Sequence, residues 1–160
     1  MREKANQIQI GGITLANYHC AIRTNYFHVK DPELFRQFMA RVYGADGAVE
    51  LWEELDSNGQ TTFAFGSNGG ISGLRSAAED TAETAGETAY DEFVCGLQQH
   101  VQENDAVIIL ESGREKLCYL VGTAEIITCT DCDHLDISDL AQRHAGVMLG
   151  NPAWQTKLDY

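Results

Sequence analysis

The segment 75–89, RSAAEDTAETAGETA, most restricts how this chain can fold. Apart from Arg75 its side chains are small or acidic, and none is a large apolar group. Such a stretch cannot bury enough surface to offset the entropy of ordering it. It is expected to be a mobile acidic surface loop. The core must then come from the patterned sequence on either side. A length of 160 residues allows one α+β domain, 1–160, with a real core.

Before this loop, Gln7-Ile8-Gln9-Ile10 alternates and predicts a short edge strand, ended by Gly11-Gly12. Residues 20–29, CAIRTNYFHV, read as a strand. Asp31 can cap a helix and Pro32 suits its first position. Leu34, Phe35, Phe38, Met39 and Val42 then recur at helical spacing, with Gly44 as the stop. In 48–55, AVELWEEL, Val49, Leu51 and Leu55 share one face of a strand, which Glu53 interrupts. Glu50, Trp52 and Glu54 share the other, outer face. Ser57-Asn58-Gly59 predicts a turn and Thr61–Phe65 a further strand. Residues 66–74, GSNGGISGL, are too glycine-rich to predict regular structure.

After the loop, Thr88 and Asp91 make a capping pair, and Tyr90, Phe93, Val94, Leu97 and Val101 form a helical stripe. The run Asp105–Leu110, DAVIIL, predicts a central strand. Lys116–Thr128 predicts a long strand with a bulge at Gly122. Asp136 caps a last helix carrying Ile137, Leu140, Ala141, His144, Val147 and Met148, and Gly150 and Pro152 end it. The order is β-α-β-β-loop-α-β-β-α, an α+β fold with a mostly antiparallel sheet and three helices on one of its faces.

Charge narrows the function. Eleven basic residues against 24 acidic ones give a net charge of −13. Such a field repels nucleic-acid backbones and acidic membranes, so direct nucleic-acid binding is disfavoured and a basic protein surface is the favoured partner. Acidity for solubility alone is the plainer explanation. No run approaches the roughly 18 apolar residues of a membrane helix. The opening residues lack the apolar block of an export signal, which predicts a cytoplasmic protein with no membrane partner. The charge gathers in 31–56, 75–92 and 131–139. Glu50, Glu53, Glu54, Asp56, Glu79, Asp80, Glu83 and Glu87, with Trp52 among them, are the candidate partner-binding residues.

Chemical motifs are sparse. Cys129-Thr130-Asp131-Cys132-Asp133-His134 gives C-x-x-C-x-H, a spacing that suits zinc but lacks a fourth ligand unless the fold brings Cys20 or His19 near. A redox role needs the cysteine pair at a helix start, and the predicted start lies some four residues on. A turn that happens to hold two cysteines is the simpler reading, so no metal or cofactor is assigned. Five cysteines in a chain of this size are expected to be reduced, with Cys95 and Cys118 as core fillers. Gly66, Gly69, Gly70 and Gly73 match neither phosphate-loop pattern. No local signature ties a histidine to a nucleophile, and His100 and His144 read as core or boundary residues.

Two stretches, Thr24–Asp31 (TNYFHVKD) and Glu111–Gly122 (ESGREKLCYLVG), together with the Leu158-Asp159-Tyr160 ending, resemble short acidic proteins of bacterial conjugative elements. The resemblance implies a mobile-element setting. Acidic proteins of that setting include anti-restriction and anti-CRISPR inhibitors, some of which present carboxylates where DNA presents phosphates. The leading expectation is a non-enzymatic acidic binding module, in its sharper form an inhibitor that occupies a nuclease's nucleic-acid channel by charge mimicry. The alternatives are a metal-assisted or thiol enzyme centred on Cys129, Cys132 and His134, and an immunity-type or accessory protein without chemistry.

Overall fold

The computed structural model describes residues 9–10, 13–14, 18–75, 88–117 and 119–158. In chain order it holds β1 (Gln9–Ile10), β2 (Ile13–Thr14), β3 (His19–Thr24), β4 (Phe27–His28), α1 (Pro32–Met39), β5 (Val42–Gly44), β6 (Glu50–Leu55) and β7 (Thr61–Asn68). There follow β8 (Ile71–Leu74), α2 (Thr88–His100), β9 (Val107–Glu115), β10 (Tyr119–Ile127), β11 (Cys132–Asp136) and α3 (Ile137–Met148). The fold is α+β, with three helices among the described residues and only antiparallel strand pairs. The acidic stretch with Glu79, Asp80, Glu83 and Glu87 lies outside the described residues, as does Cys118.

The main sheet runs β11-β10-β9-β3-β7, with β4 also on β7 and β6 closing the far edge. Two local hairpins, β6–β7 and β9–β10, are joined by β3, which pairs with β7 on one side and β9 on the other. β9 is central, as its apolar run predicts.

The helix starts follow from their caps. The Asp31 carboxylate accepts the Leu34 N–H at 3.0 Å, with Pro32 in the first turn. The Asp136 carboxylate accepts the Ser138 N–H at 2.7 Å and the Asp139 N–H at 3.3 Å. Each cap satisfies backbone donors that the helix itself leaves unpaired.

One face of the sheet carries the core. All six phenylalanines of the chain lie in it, beside Ile22, Val29, Met39, Val42, Leu97, Val101, Val107, Ile109 and Ile127. Phe35 meets Phe27 and Phe63 edge-on at centroid distances of 5.6 and 4.9 Å, and Phe38 stacks on Phe93 at 6.1 Å. Such pairs add about 0.5–1.5 kcal/mol each beyond the area they bury. Gly96 of α2 is where α1 comes closest, since a Cβ there would run into the Phe38 ring. His100 lies against Phe35 and Phe38, and burial, helped by Lys30, holds its pKa below the ordinary value. It is thus the boundary histidine predicted, whereas His144 is exposed.

Four expectations about the fold change. α1 ends at Met39 rather than Gly44, because Val42–Gly44 leaves the helix to pair with β8. Residues 66–74 are regular despite their glycines: they finish β7 and form β8. Gly66 makes room for the Trp52 ring, which a Cβ would meet at 2.9 Å, and Gly69 turns the chain at φ 88°. Gly122 makes no bulge, for β9 and β10 pair in continuous register. It is small because Ile137 of α3 packs on it, 2.8 Å from where a Cβ would stand. That contact puts α3 on the face opposite α1 and α2, so the helices do not share one face. For the same reason β9 is covered on one face only, and its outward residues Ile108 and Leu110 are 37% and 55% exposed.

Candidate functional site

Strand alternation sorts the sheet's residues onto two faces. Ala21 and Arg23 of β3, Leu110 and Ser112 of β9, Gly122 and Ala124 of β10 and Leu135 of β11 all point away from the phenylalanine core. α3 leans over only part of this back face, through Ile137 and Leu140, which remain 61% and 42% exposed. Between helix and sheet lies an open cleft of about 580 Å³, walled by Ala21, Leu110, Ala124, Leu135, Ile137 and Leu140. Arg23 also lines it. The Arg23 guanidinium carbon sits 5.2 Å above the Trp52 ring centre, a cation–π arrangement, and Trp52 reaches it across Gly66.

β6 forms the neighbouring sheet edge, and its two faces differ in use. Inward, Leu51 packs on the core and Glu53 holds Arg36 of α1 through two bonds of 2.8 and 2.9 Å. The pair keeps Glu53 below the ordinary carboxylate range and raises Arg36 further. Outward, Glu50 and Glu54 stand exposed on either side of half-buried Trp52. Asp56, at the strand end, is committed within the fold. Its carboxylate accepts the Asn58 and Gln60 N–H groups at 2.8 and 2.9 Å and meets His28 Nε2 at 2.9 Å.

His28 has a carboxylate on each ring nitrogen, with Asp105 Oδ2 2.8 Å from Nδ1. Two acceptors fit the doubly protonated imidazolium, and the bonds to Asp56 and Asp105 raise its pKa. Asp56 is lowered by His28 and its turn amides. Burial alone would raise Asp105, but the His28 backbone N–H and ring and the Ala106 N–H outweigh it and lower it. This clamp ties β4, the β6–β7 turn and the α2–β9 connection.

On the core side of β9 and β10 lies a second polar group. The Tyr18 hydroxyl donates to Glu111 at 2.7 Å, and the Tyr90 hydroxyl donates to Glu125. Burial and then the acceptor carboxylate raise both phenols. Cys132 points its thiol at the same Glu125, 3.5 Å away, and burial and that carboxylate push it up to about 11. A thiol held protonated in this way is a poor nucleophile. Cys132 belongs to β11 rather than to a helix start. Among the described residues no three His, Cys, Asp or Glu side chains converge as a metal site would require. The arrangement of Cys129, Cys132 and His134 gives thiol or metal chemistry no geometric support. Cys95 is exposed, not a core filler.

The structure therefore gathers Glu50, Trp52 and Glu54 on one outward surface and sends Glu53 and Asp56 into internal ion pairs. Sequence reasoning did not single out Arg23 or the cleft. The only signal was Arg23's place in an alternating strand opposite the buried Ile22 and Thr24. No family model, curated protein or solved structure matches this chain. No helix of the described residues is long and apolar enough to cross a membrane.

Proposed function

We propose that this protein acts by binding rather than by catalysis, as an acidic module that engages a basic protein surface. The observation that carries the reading is the outward face of β6. There Glu50 and Glu54 flank Trp52, and neither carboxylate is in an ion pair among the described residues. An aromatic body between two unneutralised carboxylates suits a cationic partner, the aromatic giving area and the acids orientation. The net charge of −13 extends this attraction beyond contact range.

In its specific form the partner is the nucleic-acid channel of a host defence nuclease, occupied by charge mimicry. The charge and the resemblance to mobile-element proteins support that form. Inhibition of a sensitive nuclease is then expected to weaken steeply as salt rises. The test neutralises Glu50 and Glu54 together, and then Glu79, Asp80, Glu83 and Glu87 as well, reading DNA cleavage across a salt series. Inhibition unchanged by both sets would exclude mimicry through these carboxylates. Loss with the first set alone would place recognition on β6.

A further inference from the structure

We infer that the cleft between α3 and the back of the sheet binds an amphipathic monocarboxylate, its apolar body against Leu110, Ala124, Ile137 and Leu140 and its carboxylate on Arg23. The site adjoins the outward face of β6 through Trp52, over which Arg23 lies, but does not rest on the role of Glu50 and Glu54.

Three observations converge. The first is size: about 580 Å³ falls within the roughly 300–1,000 Å³ of small-molecule sites. The second is the wall. Most of its side chains are aliphatic, with Glu111, Ser112 and Thr123 the polar ones besides Arg23, and Gly122 and Ala124 keep the floor low beside Ile137. The third is a single cation among the lining groups. Arg23 makes no hydrogen bond and no ion pair among the described residues, whereas Arg36 grips Glu53 and Glu33. Trp52 stands on one side of the Arg23 guanidinium, whose N–H donors meet no acceptor among the described residues. A planar guanidinium with open donors is the side chain best matched to a carboxylate, which it can take through two parallel bonds.

The negative charge of the whole chain does not forbid an anion there. At physiological salt, exposed charges more than about 8–10 Å away are largely screened. Of the nearer carboxylates, Glu111 accepts the Tyr18 hydroxyl on the core side and Glu50 and Glu54 flank Trp52, so only the Arg23 guanidinium meets the anion directly. A cationic amphiphile would instead meet Arg23 with like charge. An uncharged one would leave the guanidinium nothing to bind.

The test uses Trp52 as reporter in a Trp154→Phe background, titrating dodecanoate and 1-dodecanol below the concentrations at which they aggregate. Dodecanoate is expected to shift the emission saturably, at least tenfold more tightly than the alcohol. Arg23→Gln is expected to bring the two together. Leu140→Glu, on an exposed helix position, is expected to weaken dodecanoate without altering the far-ultraviolet dichroism. Glu50→Gln with Glu54→Gln, which removes nearby like charge, is expected to leave dodecanoate binding in place or tighten it, not to abolish it. Equal binding of acid and alcohol, indifference to Arg23→Gln, or no saturable shift would each overturn the inference. So would sedimentation showing the cleft filled by a second copy of the chain.

Discussion

The two faces of the main sheet are built from the same alternating strands but finished differently. On the front, α1 and α2 press six phenylalanines into a sealed layer, and Phe27, Phe35, Phe63, Phe65 and Phe93 have no exposure at all. On the back, α3 touches the sheet around Gly122 and then stands clear, leaving Leu110 and Ile137 more than half exposed. The front is shaped for stability. The back keeps apolar area in water, which a folded chain tolerates only where the cost is small or where a ligand relieves it.

The sharpest way to break this contrast is to truncate one residue on each face. Phe63→Ala is expected to cost about 3–5 kcal/mol, because it empties a packed site that cannot collapse. Leu110→Ala is expected to change stability by no more than about 0.5 kcal/mol, as for other exposed positions. Urea unfolding measures both, and a comparable loss at Leu110 would mean that the back is sealed after all.

Gly96→Ala sharpens the front side. Helix propensity alone would favour alanine by about 1 kcal/mol. The Phe38 ring occupies the space the methyl needs, and overpacking typically costs about 1–3 kcal/mol. A net loss of stability is expected, and a gain would show that α1 can shift aside.

Next in size is a pH effect carried by two histidines that work in opposite directions. His28 is raised above its ordinary 6.5, so its contribution is complete below that value and fades as pH rises through the higher folded one. His100 is lowered from 6.5, so stability falls as pH drops below 6.5 towards its depressed folded value. Asp56 and Asp105 are lowered from 3.8, and their contribution is lost in acid below that. Thermal unfolding of His28→Gln should approach wild type as pH rises past neutrality. His100→Gln should lose the wild type's decline on mild acidification.

The smallest expected effect belongs to Glu53→Gln. It opens a partly exposed ion pair whose worth salt reduces further. A large loss, read by the same urea titration, would mean that β6 helps seal the core.

Much of the front was legible in the sequence. Asp31-Pro32 sets the start of α1, and the stripes of α1 and α2 name residues that face the core, apart from Leu34, which is exposed. The back was not. The α3 stripe of Ile137, Leu140, Val147 and Met148 has the spacing of a core-facing helix, and periodicity reports amphipathicity without saying what covers it. Glycine content misled for a similar reason. Gly66 and Gly122 are small because Trp52 and Ile137, distant in sequence, come down upon them. β5 and β8 are short strands stabilised by each other, so neither stands out alone. Among the candidate charges, Glu53 and Asp56 look like Glu50 and Glu54 until Arg36 and His28 are placed beside them.

The position of β3 has a consequence for how the chain acquires its fold. Hairpins such as β6–β7 and β9–β10 join neighbouring segments and form in about 1–10 μs in isolation. β3 must span both, and its flank brings Tyr18 to Glu111 across 93 residues. Closing so wide a separation restricts the chain before any contact compensates, and sheets of this kind fold in milliseconds to seconds. Pulse-labelled hydrogen exchange is therefore expected to find the β9–β10 amides protected ahead of those of β3. Until β3 arrives the two hairpins are separate ribbons with bare edges, and its insertion is the moment at which they become one sheet.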